Sequence, residues 1–385
     1  MSSQKYDVII AGAGSVGTPT AYYLALAGLK VLVLDMLASN GQGSNKHAIG
    51  GLRATHSDPA KIRLCADSLE IVGKWQETHG DDLEWQENGY SFVAYDEDVE
   101  KTLKDLLTLQ KSLGLNIDWH DADGIRALAP DINTDGLRGG TYSPQDGSAS
   151  PLKTNFAFWK HAREHGAEFH FAERITELQV QGGRINGVKT DKASYSAPVL
   201  IDAAGSWSHE LGSMLGLDLP VRPDAHEAGI TEAVGRLVGP MIVDIRTRPG
   251  SSNFYFYQHG SGKIIFCVTP NPLIWGNLDL DTQSYLPHAC RRLVEVLPRL
   301  ANVRVRRTWR GTYPMTPDGS PILGPVEGLD GYLLATGMCG QGFMLGPGVG
   351  RLMSKLVTGS LNAADQEILQ ALKLNRSFDS KEKLK

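Results

Sequence analysis

Between Tyr6 and Asp35 the chain reads strand, glycine turn, helix, strand, and this stretch limits the fold more than any other. Tyr6-Asp7-Val8-Ile9-Ile10 is a short apolar run of the kind that forms a buried parallel strand. It leads into Gly12-Ala13-Gly14-Ser15-Val16-Gly17, a G-x-G-x-x-G fingerprint. Ala21 to Ala27 continues it as a helix, Lys30 to Leu34 is a second buried strand, and Asp35 closes that strand 18 residues past Gly17. Gly12 permits the tight turn, Gly14 lets backbone approach a pyrophosphate, and Gly17 lets the helix pack close to the strand. With Ser15 and Val16 they set a helix N-terminus whose free N–H groups and positive dipole end suit phosphate. Asp35 stands at the spacing of a carboxylate that holds a ribose. Pro19 fits the helix only where its N–H would be free in any case. A dinucleotide-binding α/β unit is the expectation.

At 385 residues the chain has room for more than one domain, and 41% hydrophobic with 21% charged residues is an ordinary globular composition. The net charge of −5 implies no general affinity for nucleic acid or anionic membrane. Apolar runs are interrupted too often to span a bilayer, so no transmembrane segment is expected. The first strand starts too early for a cleavable signal, which points to a cytoplasmic protein. Cys65, Cys267, Cys290 and Cys339 show no C-x-x-C spacing, so reduced buried thiols are expected, and the 11 scattered histidines offer no metal site.

Ala38 to Thr55 is rich in Gly, Ser and Asn, with His47 and Arg53 as its large polar groups near the glycines; backbone of this kind lies flat against a ligand. Ala60 to Glu77 reads as an amphipathic helix. Gly89 to Tyr95 is a strand, Asp98 to Leu113 a charged helix, Ile125 to Pro130 a short helical turn and Gly139 to Tyr142 another strand. Leu152 to His165 is again helical. Ala167 to Leu178, Arg184 to Thr190 and Ser194 to Ser196 read as strands of a meander turning at Gly182-Gly183. Val199 to Asp202 runs as a strand into Ala203-Ala204-Gly205-Ser206-Trp207. A hairpin follows, Ser252 to Gln258 with Lys263 to Val268, its first strand carrying Phe254, Tyr255, Phe256 and Tyr257. Tyr285 to Leu297 is a helix. Gly331 to Gly337 is a strand feeding a second glycine-rich run, Met338 to Gly350, and a helix whose N-terminus is expected near Pro347. Two strand, glycine-loop, helix units suggest a ligand gripped at both ends.

With these residues assembled, the chain resembles the FAD-dependent D-amino-acid-oxidase superfamily over nearly its whole length. It is most similar to the amine-oxidising branch, which holds sarcosine and dimethylglycine oxidases and the β subunits of heteromeric sarcosine oxidase and L-proline dehydrogenase. The motifs are Gly12-x-Gly14-x-x-Gly17, Gly43-Ser44 to Gly51-Leu52-Arg53, Ala204-Gly205-Ser206-Trp207, Thr316-Pro317-Asp318-Gly319 with Pro321-Ile322-Leu323-Gly324, and Gly340-Gln341-Gly342-Phe343-Met344. The resemblance implies a Rossmann-like FAD-binding domain, discontinuous in sequence, with a mixed β-sheet substrate domain inserted. The class is α/β, α+β overall. Residues 1–82, 146–220 and 311–385 would build the FAD domain, and 83–145 and 221–310 the substrate domain. It further implies FAD contacts at Gly12, Gly14, Ser15, Val16, Gly17, Asp35, Ser44, Gly50, Gly51, Ile175, Ala204, Gly205, Trp207, Gly311, Gly340, Gly342, Phe343 and Met344. Substrate contacts would fall to Arg53, His47, Tyr255, Tyr313 and Gln341.

The departures from the family pattern are informative. Gly311 stands where monomeric sarcosine oxidases carry the cysteine that links FAD, so a noncovalent FAD is implied. Pro151 stands near the place of an FMN-linking histidine, so a covalent FMN is not. Met344 replaces a carboxylate-binding lysine. The lysine that promotes reaction with oxygen falls at Ile265 or Phe266, which favours a dehydrogenase over an oxidase. The implied activity is oxidation of the C–N bond of a small secondary or tertiary amino acid, sarcosine-like or proline-like, by hydride transfer to flavin N5, to an electron acceptor not specified by the sequence. The alternatives are a D-amino-acid dehydrogenase or glycine-oxidase-like enzyme, and a subunit active only with a heteromeric partner. A flavin monooxygenase would need a Gly-Asp pair where Thr336-Gly337-Met338 stands.

Overall fold

The computed structural model describes residues 4–276 and 284–384. β1 (Val8–Ala11), β2 (Val31–Leu34), β3 (Val199–Asp202) and β4 (Leu329–Thr336) lie parallel, in the order β4-β3-β1-β2, at the centre of a ten-stranded sheet. Both faces are covered, which is why these strands are continuous apolar runs. Alternate side chains go to opposite layers. Val8, Ile10, Val31, Val33 and Ile201 join one core, and Ile9, Leu32, Leu34, Leu200 and Tyr332 the other. The first core is closed by α1 (Gly17–Leu26), α2 (Pro59–Gly73) and α3 (Gly342–Thr358). Pro19 is the third residue of α1, where the missing N–H has no intrahelical partner to lose. Asp58 caps α2 by accepting from Ala60 N–H at 2.9 Å, and Gly359, at φ +70°, ends α3.

Three local expectations are corrected. α3 starts at Gly342, not near Pro347, which lies inside the helix. The proline removes one backbone donor, and the next N–H, that of Gly348, donates to Ser68 Oγ on α2 at 2.9 Å. The single strand expected over Ala167 to Leu178 is two, Glu168–His170 and Ile175–Gln181, separated at Ala172 with φ +50°. The first of these pairs in parallel with β2 rather than joining the meander. The helix expected over Ala60 to Glu77 stops at Gly73, and Trp75–His79 is a separate short helix.

The second sheet has eight strands, in the spatial order Val305–Met315, Arg222–Ala233, Lys263–Asn271, Gly250–Gln258, Met241–Asp244, Tyr90–Ala94, Gly139–Ser143 and Asp118–Asp121. Gly250–Gln258 and Lys263–Asn271 form the expected hairpin. Phe254, Phe256, Phe266 and Val268 face a core shared with the helix Tyr285–Val296. The alternate residues Asn253, Tyr255, Cys267 and Thr269 face a cavity on the other side. Val305–Met315 pairs along its length with Arg222–Ala233, so the boundary placed between 310 and 311 runs through a strand of this sheet.

Candidate active site

One extended cavity begins at the carboxyl ends of β1 to β4, beside Ala11, Leu34, Ala203 and Ala335, and reaches the inner face of the eight-stranded sheet. Ligands of open parallel sheets bind at such strand ends. Every site residue expected from the sequence lines this cavity except Gly17. A Cβ on Gly17 would stand 1.9 Å from the carbonyl oxygen of Gly12, so its role is to seat α1 on the turn.

At the nucleotide end, Gly14 has no protein atom within 4 Å of where its Cβ would be, so its backbone borders open space. Asp35 lines the same end and accepts from Ala13 N–H at 2.7 Å and Leu37 N–H at 2.8 Å. Burial pushes its pKa up, and the two amide donors oppose the shift. Its carboxylate keeps further acceptor capacity for a ligand hydroxyl. The turn after β3 is held by Asp202, which accepts from Ala204 N–H (3.0 Å), Ser208 Oγ (2.8 Å) and Tyr332 OH (2.9 Å).

At the far end Tyr255 OH and Tyr313 OH are 2.7 Å apart. Burial raises both phenol pKa values well above the ordinary range, so both are neutral hydroxyls. The Tyr313 ring stacks on His226 with centroids 3.7 Å apart, and His226 Nε2 lies 2.7 Å from Asp224 Oδ2. The ring also lies against Gly340, where a Cβ would come within 2.2 Å of it. A Cβ already on Gly311 would stand 2.6 Å from His47 Cβ, and His47 is fixed by its carbonyl, which accepts from Trp309 Nε1 at 2.8 Å. Gly50 and Gly51 border the cavity, but their missing side chains make room for Ala149 O (2.3 Å) and Tyr90 OH (1.9 Å). Arg53 is buried, with its guanidinium donating to the carbonyls of Thr55 and Leu384.

Three amide oxygens, of Asn45, Asn253 and Gln341, are buried in this lining without a protein hydrogen-bond partner. Buried polar atoms in that state call for a ligand or water. Sequence reasoning missed Asn45 and Asn253; Asn253 stands two residues before Tyr255, on the same face of its strand, which is the signal that finds it. No lysine lines the cavity among the described residues.

The family model for FAD-dependent oxidoreductases matches residues 7–356 of this chain. The chain is a member of that family. It is 27% identical to the hydrogen cyanide synthase subunit HcnC of Pseudomonas protegens, over 92% of this chain and 93% of that one. It is 26% identical to mitochondrial sarcosine dehydrogenase of Mus musculus over 90% of this chain, but spans 39% of that longer protein. Among solved structures, L-proline dehydrogenase from P. horikoshii superposes with a TM-score of 0.90 at 27% identity, covering 97% of this chain and 98% of the other. The protein is thus an FAD-dependent oxidoreductase of amines or amino acids. The residues present fit the cofactor. Gly14 and the start of α1 suit the pyrophosphate, Asp35 the ribose, and the unpartnered amides of Asn45 and Gln341 the polar edge of a flavin ring. Among the described residues no helix is long and apolar enough to cross a membrane.

Proposed function

We propose that the chain oxidises a small N-alkylated or cyclic amino acid, of the sarcosine or proline kind. The observation that carries this reading is the far end of the cavity, where two neutral tyrosine hydroxyls, Arg53 and the amides of Asn253 and Gln341 are set among apolar residues that include Ile49 and Val243. Sarcosine dehydrogenase and L-proline dehydrogenase among the similar proteins support it. When bound, FAD would supply the two-electron acceptor for the hydride of the substrate's α C–H bond, and the iminium so formed would be hydrolysed by water. The chain's own residues position and exclude. Tyr255 and Tyr313 hydroxyls and Arg53 anchor the carboxylate; Gln341 and His47 are the remaining polar contacts. The apolar wall keeps water away and favours the uncharged amine, the form whose α-hydrogen leaves as hydride.

Adding a panel of amines to the holoenzyme without oxygen tests this directly. Sarcosine, other N-methyl amino acids and proline should bleach the flavin absorbance. Faster bleaching by glycine or D-amino acids would transfer the assignment to the glycine-oxidase type, and no bleaching by any of them overturns it. The absence of a cavity lysine supports a dye or protein acceptor over oxygen, so steady-state rates should be higher with an artificial dye than in air. That the similar HcnC is by name a subunit supports a heteromeric assembly here too, which the native mass of the protein purified from its own cell would show.

A further inference from the structure

Residues 379–384 carry no motif, yet the fold holds them firmly. The carboxylate of Glu382 is fully buried 2.9 Å from Lys61 Nζ, itself fully buried, and accepts from Ser57 N–H at 2.9 Å and Ser57 Oγ at 2.7 Å. Lys383 N–H donates back to Ser57 Oγ at 2.9 Å, and Glu382 N–H to the carbonyl of Asp318 at 3.1 Å. An ion pair taken from water in this way holds only with further hydrogen bonds; here Glu382 Oε1 takes both Ser57 donors, Lys61 Nζ also donates to the Gly319 carbonyl at 3.2 Å, and Oε2 has the Lys61 charge alone. The anchor delivers Leu384 into the cavity. Its side chain is 1% exposed and packs with Tyr90, Phe92, Val243 and Tyr257, with Ile49 and Tyr255 at the edge of the same cluster. It lines the cavity together with Arg53 and Tyr255, and its carbonyl accepts from Arg53 Nη2 at 2.7 Å.

We propose that Leu384 is a specificity-determining residue. Leu384, held in place by the Glu382 anchor, closes this end of the substrate compartment, and its side chain sets the size of the group a substrate carries there. Its carbonyl at the same time holds the guanidinium that meets the substrate carboxylate. The proposal rests on the amino-acid reading of this end of the cavity. One methylene against a fixed apolar wall is worth about 10- to 200-fold in discrimination, so trimming or enlarging this side chain should act on the ratio between small and large ligands rather than on all ligands alike.

The test is a titration of the flavin absorbance of the holoenzyme with two carboxylates, acetate and isovalerate. Leu384→Ala should tighten isovalerate relative to acetate at least tenfold, and Leu384→Phe should weaken it by a similar factor. Should the alanine variant fail to retain flavin, Leu384→Val, smaller by one methylene, should shift the ratio in the same direction by about tenfold. A ratio unchanged within about twofold in the phenylalanine and the smaller variant, with the flavin spectrum intact, overturns the proposal. So does a wild-type spectrum that neither carboxylate perturbs. The titration needs no turnover, so a failed amine panel and a failed end wall are separate results.

Discussion

The two glycine-rich units that grip the cavity, residues 12–17 after β1 and 337–350 after β4, look alike in composition and differ in what their glycines face. In the first, Gly14 borders open cavity, while Gly12 and Gly17 are pressed against backbone oxygens of Ala203 and of Gly12 itself. In the second, Gly340 makes room for the Tyr313 ring, and Gly346, Gly348 and Gly350 meet the backbone of Ser15, Leu64 and of Pro19 and Thr20. The second unit is therefore in large part a packing device. It lets α3 lie directly against α1 and α2, and so fixes the loop that carries Ser15 and Val16. The same residue type serves ligand access in one place and helix contact in another, and the neighbour of the missing Cβ tells them apart.

The largest effects should come from the contact glycines. In Gly346→Val the Cβ would start 1.9 Å from the Ser15 carbonyl oxygen, and in Gly17→Val 1.9 Å from that of Gly12. Neither backbone can retreat without opening a helix contact, so a loss above about 4 kcal/mol is expected, enough to unfold most domains. Soluble yield and denaturant unfolding would show it. Normal stability in either variant would break the distinction drawn here.

Next in size is Gly14→Val, which should leave the apoprotein within about 0.5 kcal/mol of wild type, since nothing of the protein beyond its chain neighbours lies within 4 Å of the new Cβ. FAD binding should be lost, because the side chain fills the space through which backbone approaches the pyrophosphate. Thermal unfolding of the apoprotein and flavin absorbance after reconstitution measure the two halves separately. A variant that unfolds would move Gly14 into the packing class; one that stays yellow would remove it from the cofactor site.

The sequence disclosed the first unit because its spacing encodes local geometry: a strand, a turn of three glycines and a helix over 30 residues. Alternation in Gly250–Gln258 likewise put Tyr255 on one face and Phe254 and Phe256 on the other. The start of α3 was misread because proline is common at the first position of a helix, and the tertiary donor that tolerates Pro347 in the interior, Ser68 Oγ, lies on another helix. The break at Ala172 hides in a mixed run of apolar and charged residues with no glycine or proline to mark it. Residues 379–384 were silent because their meaning is wholly long-range: Glu382 meets Lys61, and Leu384 meets Arg53. Arg53 lies in the glycine-rich stretch that the sequence marks as a ligand contact, but its hydrogen bond to the Leu384 carbonyl leaves no local signal.

The smallest effect concerns the turn after β3, which sharpens the comparison because a carboxylate rather than glycine packing holds it. Asp202 is fully buried, and burial raises its pKa to about 6 although three donors oppose the shift. Its unfolded value is about 3.9, so between pH 4 and 6 the folded state binds the proton more tightly than the unfolded state. Stability contributed by this group therefore falls as pH rises through about 6 and is regained as pH drops toward 4. The full difference is on the order of 2–3 kcal/mol, part of it spread beyond the neutral range. Asp146, raised to about 6 by the same cause, adds a slope of the same sign. Glu382 acts the other way: its carboxylate is held below the usual range against the burial that would raise it, by Lys61 first, so its contribution is present at neutral pH and is lost progressively as pH falls below about 4.3, its unfolded value. Denaturant unfolding should thus show stability rising as pH is lowered from 7 toward about 4, and falling again only below that. Asp202→Asn keeps an acceptor at this position and removes the charge, so it should flatten the slope between about pH 4 and 6 by about half while the acid limb set by Glu382 stays. A slope unchanged in the asparagine variant would mean that the turn after β3 carries its charge at no cost, and that the donors of Ala204, Ser208 and Tyr332 outweigh the burial.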